Sequence, residues 1–293
     1  MNYTSPLNVG WLVLAGAGTG VLGALLGTGG GVFLIPILVL GFGIPIHYAI
    51  ATSIVSVIAT SSAVAATNVG RGTANMRLGM TLECATTLGA ILGGIVAGIL
   101  SPRLLEGLFA LVLVPTAFLM WKGRIETAAT APRQAGANVE LHSAARFSSW
   151  SRKLDAVIID DTGKPRPYQV HRLWAGLLVS LVAGTFSGLL GVGGGVFKVP
   201  ALHLLCDVPM KAAAATSNFM IGVTAAASAF LYFGRGEVRP ALTASIVLGV
   251  LAGSWIGLLI NQRTKSRPLQ KAFALLLLLV AVQMAVRSTF GRI

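Results

Sequence analysis

The first 70 residues of the chain contain no lysine, arginine, aspartate or glutamate. So long a stretch without charge offers no solvated surface, and it divides into apolar blocks of bilayer length. Such blocks recur at 9–40, 46–67, 78–100, 103–121, 173–205, 210–233, 240–260 and 269–286. About 20 apolar residues cross the hydrocarbon core as a helix, and lipid offers the backbone no hydrogen-bond partner outside that helix. The runs are continuous, unlike the short alternating strands of an outer-membrane barrel. Only 11% of the residues are charged, against about 25% in soluble domains. The sequence therefore predicts an all-α polytopic membrane protein in a lipid bilayer.

The net charge of +13 would suggest a nucleic-acid binder in a soluble chain. Here the bases flank apolar spans, where the positive-inside rule accounts for them, so no nucleic-acid partner is expected. The N-terminus lacks a basic n-region and a cleavage site, so the first block reads as a retained segment. Cys84 and Cys206 lie in apolar blocks at unmatched positions, which argues against a disulfide or a metal site.

A shift of 164 residues aligns 27–111 with 191–275 without a gap, giving 28 identities in 85 positions. "GTGGGVFLIP" (27–36) returns as "GVGGGVFKVP" (191–200), Pro45–Ser53 as Pro209–Ser217 with a shared Ala-Thr-Ser, and the Gly-Arg-Gly of 70–72 as 234–236. The chain reads as two homologous helical repeats, 9–121 and 173–293, with broken or re-entrant helices at the glycine-rich motifs. Internal repeats are common in secondary transporters, whose sites lie at the repeat interface. Between them, 122–172 carries nine Lys/Arg against five Asp/Glu and reads as a cytoplasmic linker. Within the linker, 137–154 is a candidate surface helix, and a small hairpin is expected around Asp161-Thr162-Gly163. The block 9–40 admits three readings. As one span it gives four crossings per half and parallel repeats. As two it gives five and inverted repeats. As one crossing plus a re-entrant hairpin it returns the count to four. The basic run 262–271 favours an odd number if it is cytoplasmic.

The repeated phrases supply the candidate site. Gly29, Gly30 and Gly31, with Gly193, Gly194 and Gly195, interrupt apolar runs, where irregular backbone survives only if buried in protein or lining a cavity. A helix resuming there offers free N–H groups to an anion; the alternative is close helix packing, the reading preferred for Gly89, Gly93, Gly253 and Gly257. Thr52, Ser53, Thr216, Ser217 and Asn218 are uncharged donors suited to an oxyanion, or else satisfy their own helices. Lys198 stands where the first half has Leu34. A lysine at mid-membrane costs about 2.5–3.5 kcal/mol on insertion scales and marks function by default, unless its stem snorkels to an interface, which a place near the end of a short re-entrant helix would permit. Arg71 and Arg235, in matched Gly-Arg-Gly turns, are candidates for basic vestibules, and His47 and Lys211 match as entrance or snorkelling positions. Glu83, the sole acid before Glu106, is a candidate proton carrier; the alternative, since it sits near a helix start, is that it simply faces the headgroups. "GTGVLG" (18–23) has the spacing of a dinucleotide loop, but no acid follows at the required distance. With no nucleophile–base pair or metal cluster either, neither an enzyme nor a cofactor is expected.

At these motifs the chain resembles the TauE/SafE family of sulfite and organosulfonate exporters. The resemblance rests on G-x-G-G-G-x-x-x-x-P in both halves, the following Ala-Thr-Ser and the Gly-Arg-Gly turn; it does not extend to the linker. It implies secondary transport, mostly export, of a small sulfur anion such as sulfite, sulfoacetate or thiosulfate across a bacterial inner membrane. Proton coupling is implied at the level of the family. A passive anion channel and a non-transporting membrane scaffold are the competing readings.

Overall fold

The computed structural model describes residues 6–26, 29–70, 74–121, 156–159, 165–261 and 267–290. The first half holds α1 (Pro6–Leu26), α2 (Gly31–Pro36, prolonged by a π-helical turn Ile37–Gly41), α3 (Ile46–Gly70), α4 (Met76–Ile99) and α5 (Pro102–Trp121). The second holds α6 (Leu173–Leu190), α7 (Gly195–Leu205), α8 (Met210–Gly234), α9 (Pro240–Asn261) and α10 (Arg267–Phe290). The starts of α3 and α8, and of α4 and α9, are 164 residues apart. Proline opens α1, α5 and α9, where its missing N–H costs nothing. Asn75 caps α4 by accepting from Leu78 N at 3.1 Å.

Glycine sets the closest packing. A methyl group added at Gly16 or Gly20 of α1 would strike the carbonyls of Ile246 and Val250 on α9, and one at Gly249 or Gly253 those of Val13 and Ala17. Between α4 and α6 the same interlock joins Gly89 and Gly93 to Leu181 and Thr185, and Gly184 and Gly188 to Thr86 and Ala90. Small residues one turn apart let backbones meet where lipid supplies no hydrophobic drive.

These registers also give the helix directions. Positions rise together along α1 and α9 and along α4 and α6, so each pair is parallel. So are α4 and α8: Asn75 meets Thr216, Glu83 meets Thr224 and Gly94 meets Arg235. Thr52 and Thr243, both near their helix starts, make α3 and α9 parallel. By contrast α3 begins where α8 ends, with His47 near Glu237 and Tyr48 under Arg239. The two helices matched by the 164-residue shift thus run in opposite senses. The start of α5 likewise meets the end of α10, Arg103 with Ser288 and Glu106 with Arg287.

Because α1 and α3 run the same way, α2 must bring the chain back, as α7 must between α6 and α8. At 11 residues each, these return arms measure about 16 Å at 1.5 Å per residue, about half of the hydrocarbon core. Each half is therefore a helical hairpin that enters and leaves on one face, followed by three full-length helices. Of the three sequence readings, five passages with inverted halves describes this geometry, the second passage being short. The end of α5, the start of α6, the end of α9 and the start of α10 then share one face.

Antiparallel strands β1 (Ala156–Ile159) and β2 (Pro165–Tyr168) stand within the linker, with Ala156 opposite Tyr168 and Ile159 opposite Pro165. The expected turn residues Asp161-Thr162-Gly163 and the candidate surface helix 137–154 lie outside the described residues. Beyond β2 the chain docks on the helices: Asn75 Nδ2 donates to Tyr168 Oη at 3.1 Å, His171 N to Cys206 O at 3.2 Å, and Val170 is buried.

Candidate functional site

The glycine phrases end one helix and start another. Gly29 and Gly30 have φ of 78° and 79°, and Gly193 and Gly194 of 81° and 69°, left-handed values that side chains resist. Helix resumes at Gly31 and at Gly195. The two breaks face one another. Ser53 Oγ donates to Gly191 O at 2.8 Å, and a methyl group on Gly31 would crowd both atoms. Gly29 lies against Val57 and Ile221, themselves a matched pair. Gly27 and Thr28 lie outside the described residues.

The Ala-Thr-Ser phrases sit on α3 and α8 in the seam between the halves. Thr52, Ser53, Thr216, Ser217 and Asn218 are all buried. Thr52 Oγ1 is 3.4 Å from Thr243 Oγ1, and Thr216 Oγ1 accepts from Asn75 N at 2.9 Å. Ser217 Oγ has no partner among the described residues; the position matching Gly191, the partner of Ser53, is Gly27. These hydroxyls tie the two halves together.

Lys198 and Glu83, far apart in sequence, converge. Lys198 is on the second turn of α7 and 2% exposed; Glu83 is on α4 and 5% exposed. The ammonium Nζ lies 4.0 Å from Glu83 Oε2. Thr224 of α8 stands between them: Lys198 Nζ donates to Thr224 Oγ1 at 2.8 Å, and Thr224 Oγ1 donates to Glu83 Oε1 at 2.6 Å. Met220 O, at 2.8 Å, competes for the same hydroxyl proton. Thr86 and Thr87 add donors to Oε2 and Oε1 at 2.8 and 3.2 Å. Glu83 therefore does not face the headgroups. The short helix that follows the second glycine break carries the cation into the interior, and α4 of the other half carries its counter-charge.

Thr224 is the residue sequence reasoning missed. Its signal was present, since Thr60 matches it under the 164-residue shift, but an isolated threonine in an apolar helix usually bonds its own backbone. Thr60 does so, donating to Ser56 O at 2.9 Å.

The vestibule candidates separate. Arg235 is committed to a turn: its Nε and NH2 donate to Glu237, its NH1 donates to Gly94 O at 2.7 Å, and its guanidinium covers Tyr232. Arg71 lies outside the described residues. His47 Nδ1 is 4.0 Å from Glu237. Cys84 and Cys206 are free thiols.

Opposed helical hairpins meeting at glycine breaks, beside a buried ionic group, define a class: the multi-pass membrane transporter. The chain belongs to the TauE/SafE family, described as "Sulfite exporter TauE/SafE", which matches residues 12–284. It is 24% identical over 290 residues to the probable membrane transporter protein YunE of Bacillus subtilis, covering 96% of this chain and 98% of that one. A probable membrane transporter protein of Xylella fastidiosa (strain Temecula1) is 26% identical over 283 residues, with 94% and 95% covered. Another from Methanocaldococcus jannaschii, MJ0441, is 24% identical over 274 residues, with 88% of each chain covered. No solved structure matches the chain. The protein is a membrane transporter, not an enzyme.

Proposed function

We propose that this transporter exports a small sulfur-containing anion, such as sulfite, sulfoacetate or thiosulfate, across the bacterial inner membrane. The observation that carries the reading is the buried Lys198–Thr224–Glu83 group, to which both halves contribute. It supplies one full cation beside helix breaks and hydroxyl donors, the chemistry an oxyanion requires and a cation does not. The substrate meets Lys198, with Thr52, Ser53, Thr216, Ser217, Asn218 and the two glycine breaks forming the seam around it, and Glu83 carries the coupling proton. The linker face is cytoplasmic, since it bears the basic linker and the run 262–271.

The test is purified full-length protein in liposomes loaded with each of the three anions in radiolabelled form. Concentrative efflux in response to a pH gradient supports the reading. Flux that never builds a gradient identifies a channel, and absence of flux for all three overturns the substrate class.

A further inference from the structure

The buried group is electrically balanced by its own side chains. The Lys198 ammonium has the Glu83 carboxylate 4.0 Å away, and Thr224 Oγ1 bonds both. We infer that Glu83 and the transported anion compete for Lys198, so that each anion loaded brings one proton onto Glu83. This rests on the transport reading above and specifies how the same site is coupled.

The argument is one of charge. An incoming monovalent anion takes the place on Lys198 that the carboxylate holds. If Glu83 stayed ionised, two negative charges would share one positive charge in a site shielded from water, where uncompensated charge is heavily penalised. A proton from the loading side neutralises Glu83 instead, so the loaded site sums to zero with a monovalent anion such as hydrogensulfite and to one net negative charge with the dianions sulfoacetate and thiosulfate. On release the anion departs, Glu83 gives its proton to the same side, and the carboxylate returns to Lys198. Thr224 suits the exchange because its hydroxyl proton has two acceptors: Glu83 Oε1 at 2.6 Å and its own helix carbonyl, Met220 O, at 2.8 Å. It follows the carboxylate when that is charged and falls back on Met220 when it is not.

The surroundings leave the pair to itself. From Leu173 to Leu190, α6, packed along α4, has no ionisable side chain. On α8, Tyr232 lies two turns past Thr224 and donates to Gly188 O, and Lys211 stands at the helix start. On α7, His203 Nδ1 engages Val208 O, and on α4 Arg77 and Cys84 are exposed. The other half cannot duplicate the exchange, because Leu34 matches Lys198 and Val247 matches Glu83. One such pair among the described residues gives one proton per anion.

The experiment uses the full chain in liposomes with labelled sulfite, sulfoacetate and thiosulfate, comparing net efflux with anion-for-anion exchange. Glu83→Gln is a permanent mimic of the protonated carboxyl, so its loaded site forms but its empty site leaves Lys198 unbalanced. Net efflux should fall at least tenfold while exchange stays within about threefold of the parent. A merely structural glutamate would move both together, and that result overturns the inference. A second measurement needs no variant. Sulfoacetate and thiosulfate bind no proton at neutral pH, so an internal pH dye reports protons moved by the parent protein. One proton per anion supports the competition. Flux with no proton movement overturns it and leaves transport standing, whereas a parent that moves none of the three anions overturns the transport reading itself.

Discussion

Lys198 holds Glu83 as firmly as it is held, so removing either leaves a buried charge without its counterpart. Breaking a buried pair by deleting one partner typically costs about 3–5 kcal/mol, whereas removing both is often neutral. Lys198→Met should therefore lower the melting temperature in detergent, and adding Glu83→Gln should recover most of the loss. Anion flux should be absent from both, and Lys198→Arg should keep part of it; parental flux in Lys198→Met would make the lysine a structural group. The hydroxyls divide in the same way. Thr216→Val leaves the Asn75 N–H, at 2.9 Å, without its acceptor, a loss of about 1–3 kcal/mol. Thr52→Val gives up only a 3.4 Å contact and should unfold within a degree or two of the parent. Equal melting temperatures for the two valine variants would contradict this assignment. Lys198 and Glu83 were each legible in the sequence, as a charge in an apolar run and as a solitary acid. Their pairing was not, because it depends on α4 and α8 lying parallel, and sequence spacing carries no information on helix direction.

At the scale of elements, the breaks were the readable part. Four glycines in an apolar run announce non-helical backbone, and both helices restart at the third residue of the Gly-Gly-Gly run. Helix packing was readable in kind but not in partner: Gly89 and Gly93 mark a close-packed face of α4, yet nothing in the sequence names α6 as its neighbour. The interlock yields a sharp contrast. Gly188→Ala forces a methyl group into the Ala90 carbonyl, and neither backbone can give way without parting α4 from α6. Gly18 of α1 has open space where a side chain would stand, so Gly18→Ala should be neutral or gain up to about 1 kcal/mol from the better helix former. Thermal unfolding in detergent should show a marked loss for Gly188→Ala and none for Gly18→Ala. Similar losses in both would mean that the close α4–α6 contact does not hold in the membrane.

The molecule as a whole follows from an odd number of passages. Each hairpin enters and leaves on one face, three further helices follow, and the second half then begins on the side opposite to the first. That inversion makes the positive charge coherent: the helix ends that flank the linker and the run 262–271 fall on one face, although 89 residues lie between the two basic segments. Parallel halves would have placed matched loops together instead. Ser101 and Lys265 occupy matched positions under the 164-residue shift, Ser101 between α4 and α5 and Lys265 between α9 and α10. In a background with Cys84 and Cys206 replaced by serine, Ser101→Cys should react with a membrane-impermeant maleimide added to intact cells. Lys265→Cys and Ser149→Cys should react only after the membrane is opened. Labelling of both matched positions from outside would show that the halves are parallel, and labelling of Ser149→Cys in intact cells would reverse the orientation. If the matched positions label from opposite sides, the Lys198–Glu83 pair stands between halves of opposed direction, where a rocking of one against the other exposes it to each side in turn.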